Sequence, residues 1–255
     1  MTEPDDPHRS TITLSDLRNV LDAAQETNTR FEETTWWRGH TKAERRLEAQ
    51  VYRKNPENPD RSSYSETALI GHFVSRAPSR SHRQCPNADD YFGWLFLAQH
   101  YGLPTRLLDW TENPLVAAYF ALERPDDDGC IWGLSPSALN AALDGSQGLV
   151  QIKSPRAAKI AESAFNNIST EKIIIAIDGQ EIDPRMLAQM SRFTLHSDPD
   201  PLEFMLDSAK WLRQYIIPKD AKAKIRAQLS AFGIRRSNLF PDLANLATEL
   251  KSAIW

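Results

Sequence analysis

Residues 97–123, LAQHYGLPTRLLDWTENPLVAAYFALE, constrain the fold more than any other stretch of the chain. A helical pattern of apolar residues runs into this stretch, and Gly102 followed by Pro104 is typical of a helix end. Residues 105–110, TRLLDW, are short, extended and semi-apolar. The stretch therefore predicts a helix that turns sharply into a strand.

A second helix is predicted directly after that strand. Thr111 or Asn113 can cap it, and Pro114 fits its first turn, where the missing N–H removes no helical hydrogen bond. Polar and aromatic side chains are dense across the same turn. Buried polar groups are costly unless they are hydrogen-bonded. We therefore interpret the turn as facing a ligand.

Elsewhere, helical and strand patterns are interspersed without strict β-α-β alternation, which favours one α+β domain. Ser15 is predicted to cap the first helix, and residues 200–211, DPLEFMLDSAKW, are predicted to be helical. Residues 1–10 are acidic and proline-rich and are predicted to be disordered, which leaves residues 11–255 as a single domain.

The composition is ordinary for a globular protein, with 41% apolar and 25% charged residues. The net charge of −4 argues against a generally basic nucleic-acid binder. No apolar run reaches the roughly 18–20 residues of a membrane span. Two cysteines indicate neither a disulfide scaffold nor a metal cluster, and the chain start does not resemble a secretory signal. These features predict a cytoplasmic protein with no membrane partner and no bound metal. The sequence does not decide the oligomeric state.

Four segments carry a resemblance to the FRG domain family. WWRGH (residues 36–40) resembles the aromatic-Arg-Gly motif of that family, and residues 98–121 resemble its longest signature. Residues 186–196 and 232–247 resemble two later blocks, so the resemblance spans about residues 30–250. The family name alone implies no particular reaction, and the chemistry has to be argued from the site.

The order of these motifs is similar, more distantly, to ADP-ribosyltransferases of the Arg–Ser–Glu type. That resemblance implies a central mixed or antiparallel split sheet flanked by helices, and NAD as a substrate bound between the Arg38 strand and the 99–113 turn. It also implies an ADP-ribose acceptor, which the sequence leaves open among protein, nucleic acid, nucleotide and water. A role as a toxin or a defence factor is likewise left open.

The resemblance assigns roles by position. Arg38, Thr111 and Gln189 are the candidate catalytic residues. Arg38 offers a permanently charged fork for phosphate or ribose oxygens, and Thr111 precedes a helix N-terminus that attracts anions. The expected ligand-binding residues are Arg38, Gly39, His40, His100, Tyr101, Thr105, Arg106, Asp109, Trp110 and Asn113.

Two departures weaken the enzyme reading. The second motif is Asp109-Trp110-Thr111 rather than Ser-Thr-Ser, and Gln189 stands where the family has a catalytic Glu. A glutamine cannot neutralise a developing cation, so another acid would have to serve. The candidates are Asp109, Glu181 and Glu203.

Plain structural roles remain open for three of the site residues. Arg38 and Asp109 can form a structural ion pair, Asp109 can be a helix cap, and His100 can be a hydrogen-bonded core residue. The main alternative function is a non-catalytic nucleotide or nucleic-acid binding module that uses the same pocket. In that module Arg76, Arg80 and Arg83 would supply phosphate contacts.

Overall fold

The fold was analysed in a computed structural model, which describes residues 6–53, 65–80, 85–166, 168–179, 181 and 183–254. Within these ranges the chain forms eight strands and eleven α-helices. The strands are β1 (Arg9–Thr13), β2 (Trp36–His40), β3 (Leu107–Thr111), β4 (Gly129–Leu134), β5 (Val150–Gln151), β6 (Ile174–Asp178), β7 (Ser191–His196) and β8 (Leu212–Ile217).

The helices are α1 (Leu17–Phe31), α2 (Glu66–Arg76), α3 (Tyr91–His100), α4 (Pro114–Ala121), α5 (Pro136–Leu143), α6 (Pro155–Asn166), α7 (Pro184–Ala188), α8 (Ser208–Trp211), α9 (Lys219–Ala231), α10 (Arg236–Leu239) and α11 (Leu243–Ile254). Short 3₁₀ turns lie at Gln50–Tyr52 and Leu202–Phe204. Every helix in the described ranges is too short or too polar to cross a membrane.

All eight strands belong to one sheet, in the order β1-β8-β4-β2-β3-β7-β6-β5. The outer pairs β1–β8 and β5–β6 are parallel, and the inner pairs are antiparallel. The prediction of a single mixed sheet with helices is therefore confirmed.

The sheet is weakly joined at its centre, between β2 and β3. In the described chain, β2 and β3 pair only at Trp37 and Thr111, whereas β2 and β4 share five residue pairs and β3 and β7 share five. Beyond that pair, β2 and β3 diverge toward His40 and Leu107. We call this gap the seam; it divides the sheet into two four-stranded halves.

Helices cover one face of the sheet in two groups. Around Trp37, Ile131 and Tyr215, one hydrophobic core forms with α1, α4 and α9. A second core lies on the other half of the sheet, where Leu107 and Leu195 pack against α2, α3 and α6. The opposite face carries a third core, which includes four buried tryptophans: Trp36, Trp110, Trp132 and Trp211.

Capping and turn residues in the sequence correctly predicted the end of α3 and the start of α4. Gly102 has a φ of 80° just after α3, a left-handed conformation that suits glycine at a helix end. Asn113 caps α4 through its Oδ1, which accepts from the Leu115 N–H at 2.9 Å, and Pro114 is in the first turn.

Three local predictions were wrong. Asp16, not Ser15, caps α1, because its carboxylate accepts from the Asn19 N–H at 3.1 Å. Residues 200–211 are not one helix; a 3₁₀ turn and the four-residue α8 are separated at Asp207, whose φ is 58°. Residues 6–10 follow a defined course, and Arg9 and Ser10 already belong to β1. Residues 1–5, in the same predicted disordered segment, lie outside the described ranges.

Candidate functional site

A pocket of about 220 Å³ opens at the seam. It lies between α4 on one side and α7 on the other, and both β2 and β3 contribute to its lining. Its lining includes seven residues of the predicted site: Arg38, Gly39, His40, Asp109, Trp110, Thr111 and Gln189. Nine further residues complete the wall: Trp37, Thr41, Arg45, Val116, Ala117, Phe120, Glu123, Arg185 and Ser191.

Arg38 bridges the seam where backbone pairing is missing. One terminal nitrogen donates to the main-chain oxygen of Asp109 at 2.5 Å and lies 3.8 Å from its carboxylate. Its Nε donates to His40 Nε2 at 3.1 Å. A structural ion pair and a ligand-binding role are therefore compatible for Arg38, because it pairs with Asp109 and also lines the pocket.

The hydrogen bond from Arg38 fixes the protonation state of His40. Because Nε2 accepts from Arg38, the ring proton is on Nδ1, which donates to the main-chain oxygen of Arg45 at 3.0 Å. Burial, and then the positive charges of Arg38 and Arg45, hold the pKa of His40 well below its ordinary value. His40 is therefore a neutral part of the wall at physiological pH.

Positive charge is concentrated around His40. Burial lowers the pKa of Arg53 to about 10, and the charges of Arg45 and Arg38 add to that shift. The pKa of Arg38 is also lowered by burial; Asp109 opposes this effect and Arg45 adds to it. The pocket lining holds three arginines, Arg38, Arg45 and Arg185, against two carboxylates, Asp109 and Glu123. The site therefore attracts anions.

A hydrogen-bond chain orients the carboxylate of Asp109. The Leu107 N–H donates to the hydroxyl oxygen of Thr105 at 3.1 Å, and that hydroxyl donates to the Gln99 side-chain oxygen at 2.5 Å. The Gln99 amide nitrogen must then face Asp109, and it donates to Oδ2 at 2.8 Å. Thr105 is fully buried and acts on the pocket only through Gln99.

Thr111 and Gln189 are tied to the surrounding backbone. The Thr111 hydroxyl donates to the main-chain oxygen of Gln189 at 2.6 Å and accepts from the Asn113 N–H at 3.0 Å. The Gln189 side-chain amide donates to the main-chain oxygen of Leu239 at 3.0 Å. Both side chains line the pocket, but the Thr111 hydroxyl is bonded to the backbone of Gln189 and Asn113, and the Gln189 amide is bonded to α10. The chemical role predicted for each of them stays a prediction.

Gly39 has a packing role. A Cβ at this position would collide with the main-chain oxygen of Ala117 and would lie 2.8 Å from the main-chain nitrogen of Ala121. Both atoms belong to α4. Glycine is therefore required because α4 packs directly onto β2, and the close approach that we expected from a ligand is made by a helix.

Three other predicted residues offer no ligand contact in the pocket: Arg106 and Tyr101 lie away from it, and Trp110 lines it only with a buried ring. The Arg106 guanidinium is buried against Glu66 at 2.7 Å and also donates to Ser163 and to the main-chain oxygen of Ile160. Trp110 is 3% exposed, and its indole N–H donates to Thr194 at 3.1 Å, so its ring cannot stack on a ligand. Tyr101 is exposed and lines a separate groove between α2 and α3.

His100 lies beside the pocket. Its Nδ1 is 3.0 Å from the Asp183 carboxylate, and both line a cavity of about 40 Å³ that shares Asp109 and Gln189 with the main pocket. Asn113, the tenth predicted ligand-binding residue, serves as the α4 cap. Asp109 is not a helix cap, because it lies inside β3.

Among the acids considered in place of a catalytic Glu, Asp109 alone lines the pocket. Glu181 is 3.6 Å from Arg192. Glu203 accepts from the Leu47 N–H at 3.1 Å and lines a different cleft. Arg76 and Arg80 line the groove between α2 and α3, and Arg83 lies outside the described residues.

Sequence reasoning missed Gln99, Arg45, Arg53 and Arg185. Gln99 lies in the dense polar stretch, next to His100, and that neighbourhood was a usable signal. Arg45 and Arg53 belong to the connection after β2, where no periodic pattern shows which way a side chain points. Arg185 lies in α7 and reaches the pocket only because α7 packs beside β7.

The buried histidines predict how stability depends on pH. Burial and the Arg38 charge lower the pKa of His196 to about 3, and the pKa of His40 is also far below 6.5. Between pH 6.5 and these values the unfolded chain binds protons that the folded chain does not. Stability is therefore fully present above pH 6.5 and falls with pH, by about 1.4 kcal/mol per unit for each histidine.

Urea unfolding between pH 7.5 and 5 measures this slope. The variant His196→Asn should remove the contribution of one histidine, so its stability should vary less steeply with pH than that of the parent chain. Equal slopes for the two proteins would show that His196 is protonated in the folded state.

Comparison with known families supports the sequence resemblance in part. The family model of the FRG domain matches residues 33–130, which include β2, α3, β3, α4 and the start of β4. The two later segments, residues 186–196 and 232–247, lie beyond the match. No curated protein and no solved structure matches the chain.

Proposed function

From the match of residues 33–130 to the FRG domain model, we propose that this chain is an FRG-domain protein whose seam pocket binds a nucleotide through its phosphate groups. The observation that carries the proposal is the cluster of three arginines, Arg38, Arg45 and Arg185, that lines the pocket beside a neutral His40. An arginine fork matches phosphate oxygens in pairs and stays charged at any physiological pH.

The shape of the pocket limits how much of the ligand is enclosed. Sites that enclose drug-sized ligands usually measure about 300–1,000 Å³, and the seam pocket measures about 220 Å³. The pocket would therefore hold a phosphate and its ribose, with the remainder of the nucleotide in the open cleft. Arg45 and Arg185 line the wall beside Arg38 and would contact the phosphates.

NAD is the nucleotide that we propose. The resemblance to ADP-ribosyltransferases implies it, and by motif order Arg38 would stand where that family has the arginine that contacts the dinucleotide. The FRG match itself names no ligand, so the support for NAD is the motif order together with the arginine cluster.

A second candidate function is cleavage of the bond between ribose C1′ and nicotinamide. In that reaction the bonding electrons leave with nicotinamide, a carboxylate stabilises the ribosyl cation, and an acceptor attacks C1′. Asp109 is the residue that favours it, because Gln99 and Thr105 fix its carboxylate in the pocket. This assignment replaces Gln189, whose amide is bonded to Leu239.

Calorimetric titration with NAD, ADP-ribose and AMP tests the binding proposal. The variant Arg38→Ala should weaken binding by about 10- to 100-fold, since it removes one or two hydrogen bonds to a charged group. Arg18→Ala is the matched control, because Arg18 is a highly exposed arginine of α1, and it should bind like the parent chain. Absence of binding by all three nucleotides at millimolar concentration would overturn the proposal.

Nicotinamide release from NAD tests the second function separately. Asp109→Asn should lower kcat at least about 100-fold with little change in KM, because the lost charge acts on the transition state. Gln189→Ala should leave kcat within a few-fold. Binding without release would identify a non-catalytic nucleotide module. A larger kcat loss in Gln189→Ala than in Asp109→Asn would return the catalytic role to Gln189.

A further inference from the structure

Helix α11 presents a row of exposed leucines. Leu243, Leu246 and Leu250 are 83%, 45% and 50% exposed, and no side chain described along α11 is buried. Their spacing of i, i+3 and i+7 places them on one face of the helix. This spacing is typical of a helix that anchors its apolar face in a groove. We call these residues the leucine face.

The same chain contains an apolar groove of about 520 Å³ between α2 and α3. Its floor consists of apolar side chains from both helices and the turn after α3: Leu69, Phe73, Ala77, Leu97 and Leu103. Tyr101, 61% exposed, forms one edge. Exposed apolar surface of this kind is typical of an interaction site. We call it the α2–α3 groove.

From these two surfaces we propose that α11 of one molecule docks in the α2–α3 groove of a second copy. The lengths agree: at 1.5 Å per residue, α11 is about 18 Å long and α2 and α3 are about 15–17 Å long. Neither surface has a partner within the described part of the chain that would bury it.

Charged residues lie beside both surfaces. Three basic residues, His72, Arg76 and Arg80, line the groove, and no carboxylate is among its lining residues. On α11, Asp242 caps the helix start and accepts from Asn245, and Glu249 is 3.7 Å from Arg235. Arg236 donates to Asn245 at 2.6 Å, so cations of the same molecule already lie beside these carboxylates. The contact would therefore be held by its apolar side chains.

The geometry of the contact determines the kind of assembly. A helix that docks in a groove on a different part of its twin makes a heterologous contact, which extends into chains or closes into rings, the smallest of which is a pair that exchanges helices reciprocally. The docked helix follows α10, whose residue Leu239 bonds Gln189 of the seam pocket and whose neighbour Phe240 lies 4.6 Å from the Arg185 guanidinium. Assembly would thus bear on one wall of the pocket.

Sedimentation velocity over about 1–200 µM tests the proposal, since a contact of this size belongs to the weak, concentration-dependent class. The parent chain should associate as its concentration rises. The helix variant Leu246→Glu/Leu250→Glu and the groove variant Arg76→Glu/Tyr101→Glu should each remain monomeric. Leu21→Glu, at a leucine of α1 that is also 50% exposed, is the matched control and should associate like the parent.

Mixing the two monomeric variants is the decisive step. Each retains one intact surface, so the mixture should form a heterodimer and nothing larger. A parent chain that stays monomeric would overturn the proposal. So would a helix variant that loses association while the groove variant keeps it, because α11 would then pair with another surface. A mixture that stays monomeric would also overturn it.

Discussion

Replacing Arg106 with methionine should destabilise the fold by about 3–5 kcal/mol, the range measured when one partner of a buried ion pair is removed. Arg106 and Glu66 are each 8% exposed, and the guanidinium donates to Glu66 through two nitrogens. The substitution leaves the Glu66 carboxylate buried with little more than the Arg106 main-chain N–H to bind it. Chemical denaturation at pH 7 measures the loss.

The double variant Arg106→Met/Glu66→Leu is the control for this experiment. If the destabilisation arises from the stranded carboxylate, removing Glu66 as well should restore much of the lost stability, because apolar pairs often replace buried ion pairs without loss. A double variant that is less stable than Arg106→Met would contradict this explanation. Loss of nucleotide binding in a folded Arg106→Met would instead return Arg106 to the site.

Gly39→Ala should destabilise the protein by about 3 kcal/mol or more. The added methyl group meets the main-chain oxygen of Ala117 and the main-chain nitrogen of Ala121, and backbone atoms inside α4 cannot move aside as a flexible side chain can. Thermal unfolding measures the loss, and the seam pocket should lose its shape with it, because Ala117 lines the wall.

Gly71→Ala is the matched control, a glycine-to-alanine change inside α2. A Cβ there has no neighbour within 4 Å, so the change should stabilise the protein by about 0.5–1 kcal/mol through helix propensity alone. If Gly39→Ala were as stable as the parent chain, α4 would not pack on β2 as closely as described.

Local sequence signals predicted the central elements because those signals act over a few residues. Gly102 ends α3 and Asn113 starts α4 for reasons contained within one helical turn. Asp207 has a left-handed backbone, although the position is not a glycine. The local sequence therefore did not predict the break in the helix there. The strand order β4-β2-β3-β7 depends on contacts between distant segments, and no local pattern encodes it.

The sequence predicted which segments form the pocket, but it did not predict the role of each residue in it. Arg38 and Arg106 look alike in the sequence, each an arginine beside a predicted strand. Arg106 forms a buried ion pair with Glu66, forty positions earlier in the chain. Arg38 instead bonds Asp109 across the seam and lines the pocket. Gln99 bonds the pocket residue Asp109 directly, whereas Thr105 acts on it only through Gln99. Only the packing of α3 beside β3 distinguishes the two residues.

The seam has a mechanical consequence. With one backbone pair between β2 and β3, the two half-sheets are held together largely by the side chains of the third core, which come from both halves, and by α4, which contacts β2, β3 and β4. A ligand bound in the seam would therefore contact both half-sheets and restrict their movement relative to each other. A bound ligand should make the whole sheet more rigid. Backbone amide hydrogen exchange should slow first at Arg38 and Asp109 when the ligand is bound.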